Sequence, residues 1–87
     1  SMTTAEARAR ELLDGLGPLT VRRMFGGAGV YLDGRMFGLL AGDDLFLKVD
    51  NATEPAFRAA GSSPFVFEGR DGRQVVMRYW RLPAEAE

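Results

Sequence analysis

The sequence predicts an α+β domain in two layers, an antiparallel sheet of five to six strands with two helices, in the order helix, β-meander, helix, two strands. Three observations predict it. Between Met24 and Asp50, MFGGAGVYLDGRMFGLLAGDDLFLKVD, short apolar runs are cut by glycine clusters and by the turn dipeptides Asp33-Gly34 and Gly42-Asp43; runs joined by such turns form meanders. Apolar residues at helical spacing lie outside that run, and strands in series with helices set apart make an α+β rather than an alternating α/β fold. The chain has 87 residues, 46% hydrophobic and 26% charged, which fits one globular domain with a single modest core.

Ser1 ahead of Met2 reads as a cloning remnant, residues 3–83 as the domain, and 84–87 as an acidic tail or the stub of a further helix. Thr3 or Thr4 can cap the first helix, with Glu6 in its first turn. Ala5, Ala9, Leu12, Leu13 and Leu16 fall on one face at helical spacing. Gly15, Gly17 and Pro18 stop the helix. Val21 to Phe25, Gly29 to Asp33, Arg35 to Ala41 and Asp44 to Asp50 read as four strands. Asn51 or Thr53 caps a second helix with Pro55 in its first turn, Ala56, Phe57 and Ala60 as its apolar side and Gly61 as its end. Pro64 to Glu68 is a fifth strand, Gly69 to Gly72 a turn, and Arg73 to Trp80 a sixth strand ended by Pro83.

The strands share an anomaly. In the third, Met36 and Leu40 are expected on one face and Phe37 and Leu39 on the other. Leu45, Leu47 and Val49 oppose Phe46 and Lys48, and Val75, Met77 and Tyr79 oppose Val76, Arg78 and Trp80. A sheet with one wet face alternates apolar and polar residues; this one is apolar on much of both. Two short helices cannot cover both faces, so something else is expected to cover the second. A homodimer partner is the simplest candidate, and a helix following the last strand is another.

Composition excludes more chemistry than it suggests. The chain has no Cys and no His. Disulfides, thiolate nucleophiles, thiolate metal sites and Ser–His or Cys–His machinery therefore cannot be built, and the commonest general acid–base near neutral pH is missing. No apolar stretch approaches the roughly 18 residues of a membrane span, and no signal-peptide pattern is present, so a cytoplasmic location with no membrane partner is expected. The net charge of −1 supplies no bulk basic field for nucleic acid.

The remaining motifs each have a plain structural reading. Gly26-Gly27-Ala28-Gly29 precedes a strand rather than the helix a phosphate loop requires, so it reads as a tight turn or bulge. Asp33 and Asp43-Asp44 sit in hairpin turns, where Asp bonds its own backbone. Lys48, the sole lysine, reads as a side chain reaching the sheet rim. Neither a metal nor a cofactor is expected. Arg22, Arg23, Arg73, Arg78, Trp80 and Arg81, with Tyr79, mix cations and aromatics on strands and form the candidate interaction surface. Three readings stay open for it: core packing with ion pairs, a protein interface in which Trp80 is the buried anchor, and single-stranded nucleic acid bound by stacking and charge.

The run from Met24 to Asp50, followed by Phe57, Ala60-Gly61, Pro64-Phe65 and Met77-Arg78-Tyr79-Trp80-Arg81-Leu82-Pro83, resembles the N-terminal domain of the TfoX/Sxy family over about residues 20–83. The resemblance implies an α+β domain with an antiparallel sheet. Longer members of that family are bacterial competence regulators with a second, C-terminal domain, which promote transcription of DNA-uptake genes together with the cyclic-AMP receptor protein. It therefore implies a non-catalytic regulatory domain without cofactor, acting through a protein partner that is transcription-related and by self-association. A nucleic-acid accessory module is the second class, and an enzyme of unrecognised type the third.

Overall fold

The computed structural model of the chain describes residues 2–24 and 26–83. Among these residues, helix α1 (Met2–Leu13) leads through a 3₁₀ turn (Asp14–Leu16) into four strands: β1 (Leu19–Met24), β2 (Gly27–Leu32), β3 (Arg35–Ala41) and β4 (Asp44–Lys48). Helix α2 (Glu54–Ala59) follows, then β5 (Pro64–Glu68) and β6 (Gln74–Arg81). The strands form one antiparallel sheet in the order β1-β2-β3-β4-β6-β5. This is the α+β architecture that the alternating runs and turns predict. Phe25 and the acidic tail 84–87, with the expected helix stub, lie outside the described residues.

The turns explain the meander. Asp33 and Gly34 both take positive φ, 51° and 78°, the pair of left-handed conformations a two-residue hairpin turn needs to match strand twist. Gly27 is required for a different reason. A Cβ there would lie 2.3 Å from the backbone oxygen of Leu40, so β2 and β3 approach too closely for any side chain at this point.

Helix α1 covers one face. Ala5 and Ala9 are buried against Ala28, Val30, Leu40 and Leu45, with Leu13, Leu19, Val21, Phe37, Leu47 and Leu82 packed around them. Small residues on the helix let it sit close to the sheet, and each Val or Leu fully buried there contributes about 1.5–3 kcal/mol. Helix α2 lies on the same side, over Trp80. The Arg58 guanidinium stands 5.0 Å from the Trp80 ring centroid, and Arg58 also pairs with Glu54 one turn back.

Several expectations need correction. Helix α1 begins at Met2, so Thr3 and Thr4 lie inside it and Glu6 pairs with Arg10 in its second turn; the Ala-, Arg- and Glu-rich run carries the helix back past the threonines. Leu12 and Leu16 are exposed; the helix gives way after Leu13 to the tighter 3₁₀ turn, which carries Leu16 off the sheet. The start of α2 is organised by Asp50 rather than by Asn51 or a Thr53 side-chain cap. The Asp50 carboxylate accepts from the N–H groups of Ala52 and Thr53 and from the Thr53 hydroxyl, and the Asp50 N–H donates to that hydroxyl oxygen. In β3 the expected faces of Met36 and Phe37 are exchanged. A bulge opposite Val30 and Tyr31 leaves Phe37 extra in the ladder. Phe37 joins Leu40 on the helix side and Met36 joins Leu39 on the other.

Candidate functional site

The second face of the sheet has its own apolar cluster, and among the described residues no helix residue belongs to it. Leu39, Phe46 and Tyr79 are buried there, with Met36, Ala41, Phe65 and Met77 packed against them. They lose contact with water because the sheet curls. Strands β3 and β6 are separated by β4, yet the Tyr79 hydroxyl donates to the Met36 carbonyl at 3.2 Å. Phe46 of β4 meets Phe65 of β5 edge to face at 5.3 Å, and Phe65 meets Phe67 at 6.3 Å. Twist accumulated over six strands gives such a concave side.

The hollow of that face is an apolar trough of about 690 Å³. Met24, Met36 and Leu39 line one flank and Phe65, Phe67 and Met77 the other, with Glu68 and Arg70 at one end. A Cβ on Gly29 would come within 2.9 Å of the Met24 methyl and the Met36 sulfur; its absence lets these side chains lie along the trough. Its size and lining are those of a site for an apolar group with a few polar groups at the margin. Three methionines make the surface adaptable, since an unbranched thioether chain fills irregular shapes.

The arginines singled out from the sequence do not form one patch. Alternation places Arg22 and Arg81 on the open face and Arg23 and Arg78 on the helix face. Arg73 lies at the β5–β6 turn, where it pairs with Asp71 at 3.6 Å. Arg22 stands over the Tyr31 ring and Arg81 over the Phe46 ring, and Arg81 also pairs with Asp44 at 3.7 Å. Arg78 donates to the Asn51 side chain and pairs with Glu54, tying β6 to the start of α2. Trp80 is 5% exposed and packs beneath α2, so in this fold it is a core residue and offers no surface to a partner. Tyr79 is buried on the other side of the same strand.

Among the described residues, two groups carry shifted acidities. The Asp50 carboxyl is held below its usual value, chiefly by the Thr53 N–H and hydroxyl and the Ala52 N–H, with a smaller effect of Arg78. The Tyr79 phenol is pushed up, first by burial and then by the neighbouring Tyr31. Both serve structure: one starts a helix and the other holds the curl. Among the described residues, no three Asp or Glu side chains converge as a metal site would require.

The trough residues are only half legible in the sequence. The apolar character of both faces signalled a second buried surface, but Met36 was expected on the wrong side, and the curl that joins β3 to β5 has no signature in spacing. Comparison with known proteins adds the family. A model of the TfoX N-terminal domain matches residues 11–87. No curated protein matches the chain.

Proposed function

We propose that this chain, which belongs to the TfoX N-terminal domain family, is a non-catalytic regulatory domain of the cytoplasm. It acts by receiving an apolar segment of a partner protein in the trough of its open sheet face. The family is one of competence-regulator-like domains, which favours a transcription-related partner. The observation that carries the reading is the trough itself: about 690 Å³ lined by methionine, leucine and phenylalanine, on a face over which, among the described residues, no helix lies. The fit is to an apolar helix or strand from another chain, with Arg70 and Glu68 to orient polar groups at its end. Nucleic acid is the weaker reading. The arginines divide between two faces, and two of them, Arg22 and Arg81, already stand over the protein's own aromatic rings.

Capture from the host's lysate, with and without nuclease, tests this. The bait is the tagged domain compared with a Met36→Gln, Met77→Gln double variant. A protein retained after nuclease by the wild type and lost by the variant is the expected result. Loss of all bound material on nuclease treatment, or capture indifferent to the two substitutions, would overturn it.

A further inference from the structure

The β5–β6 hairpin projects past the rest of the sheet. Strand β4 pairs only with the far end of β6, at Tyr79, Trp80 and Arg81, so the half of β6 that carries Val75 and Val76 has β5 alone beside it. Apolar side chains are left in water on both faces of this arm. Val66 and Val76, directly paired, are 41% and 62% exposed on the helix side; Phe67 and Val75, also paired, are 42% and 39% exposed on the trough side.

Strand β5 is also a sheet edge, and its open hydrogen-bonding groups can be assigned. The Gly69 N–H donates to the Arg73 carbonyl, and the Arg81 N–H donates to the Ser63 carbonyl. In an antiparallel ladder the direction of the backbone groups alternates along the strand. Odd-numbered residues of β5 therefore face β6, and Pro64, Val66 and Glu68 face outward. The strand is self-complementary about Val66. Laid antiparallel on a second β5, Val66 sits opposite Val66 of the other copy and Glu68 opposite Pro64. Phe65 then sits opposite Phe67.

From this register we infer that β5 is the contact through which two copies of the chain join, extending the sheet from six strands to twelve across a two-fold axis at Val66. Two bonds come from the Val66 N–H groups to the opposing Val66 carbonyls, and two from the Glu68 N–H groups to the opposing Pro64 carbonyls. Pro64 has no N–H to offer and loses nothing by facing an edge. On the helix side, Val76 and Val66 of one copy continue into Val66 and Val76 of the other as one apolar row. On the trough side the Phe65–Phe67 pairs add aromatic contacts across the seam. The one charged side chain of the strand, Glu68, meets proline and not a like charge. Symmetric pairing of this kind closes on itself after two copies. It goes beyond the docking of a partner in the trough and does not depend on it.

The chain has no Cys, so single cysteines report the geometry cleanly. In the proposed dimer the two Val66 Cα atoms lie about 5.5 Å apart, whereas the two Val76 positions are three strand spacings apart, roughly 14 Å. Val66→Cys is expected to be joined efficiently by a short bis-maleimide and Val76→Cys poorly. Sedimentation equilibrium of the wild type is expected to give twice the 9.5 kDa chain mass. Val66→Arg, at an exposed position, is expected to keep the wild-type circular dichroism spectrum and to raise the dissociation constant by about tenfold or more, since it sets two like charges face to face. A wild type that stays monomeric at millimolar concentration would overturn the inference. So would a dimer indifferent to Val66→Arg, or one in which Val76→Cys links and Val66→Cys does not. The lysate capture tests the trough separately, because Met36 and Met77 lie outside the β5 seam.

Discussion

The two faces of the sheet reach dryness by different routes. On one, a second layer does it: Ala5 and Ala9 of α1 lie over Ala28, Val30 and Leu40, all almost completely shielded. On the other, the sheet shields itself: curvature brings Phe46, Phe65 and Tyr79 together, and the margin of the cluster stays open as the trough. A layered face specifies a fold tightly, because every methylene meets a neighbour on the far side. A curled face is dry at its centre and unfinished at its rim. That makes the first the source of stability and the second the place for binding.

Substitutions can break this comparison, beginning with the largest effect. Trp80→Ala removes the side chain that joins β6 to α2 and is expected to cost about 3–5 kcal/mol in chemical denaturation, a large share of the stability of a domain this size. A variant of unchanged midpoint would return Trp80 to the surface. Leu40 and Leu39 are neighbours in β3 that point to opposite faces. Leu40→Ala is expected to cost about 3 kcal/mol and Leu39→Ala about 2 kcal/mol, because the trough side can relax into open space while the layered side keeps its cavity. Equal costs would mean that the two faces are packed alike.

Glycines sharpen the same point. Gly27→Ala drives a methyl group into backbone and is expected to cost roughly 2–3 kcal/mol. Gly29→Ala meets side chains alone, the tips of Met24 and Met36 and, at 3.0 Å, the edge of the Tyr31 ring, and the methionines can swing into the trough, so about 1 kcal/mol is expected. Thermal melts of the two would separate rigid from yielding ground.

The smallest effects lie at the extremes of pH. The Tyr79 phenol is raised in the folded protein, so its contribution is complete below the unfolded value of 10.0 and is lost as pH rises through the folded value. Tyr79→Phe should flatten the alkaline limb of a stability–pH profile while losing about 1 kcal/mol at neutral pH through the Met36 bond. The Asp50 carboxyl is lowered, so its contribution is present above 3.8 and fades as pH falls through the folded value. Asp50→Asn should shallow the acid limb below pH 3.8, and an unaltered limb would show that the turn before α2 does not need the charge.

Much of the layered face was legible in the sequence, because period and punctuation are local properties. Asp33-Gly34, Gly42-Asp43 and the Gly69–Gly72 segment marked hairpins, and the Pro64–Glu68 strand and Gly61 helix end stand where spacing put them. Arg78 and Trp80 were rightly set opposite Met77 and Tyr79. The bulge beside Val30 was not legible, because the two possible pairings of β3 differ by one residue and the choice is made by β2. The arginine cluster failed as a patch for a related reason. Closeness in sequence on a strand means opposite faces, and rings such as Tyr31 and Phe46 claimed the guanidinium groups. The curl that makes the trough depends on contacts between β3, β4, β5 and β6 together, which no window of sequence contains.

The strand order has a kinetic consequence. Strands β1 to β4 follow one another through short turns, and β5 with β6 form a second local hairpin, so each group can zip from its own turns at little loop-closure cost. Among the described residues their backbones pair only at the β4–β6 seam, three register pairs from Phe46↔Arg81 to Lys48↔Tyr79, flanked by bonds from Val49 to Arg78 and from Leu82 to Leu45. That seam is where the chain must search longest. Its amides are expected to gain protection last in pulsed hydrogen exchange, with the hairpin arm already formed and waiting.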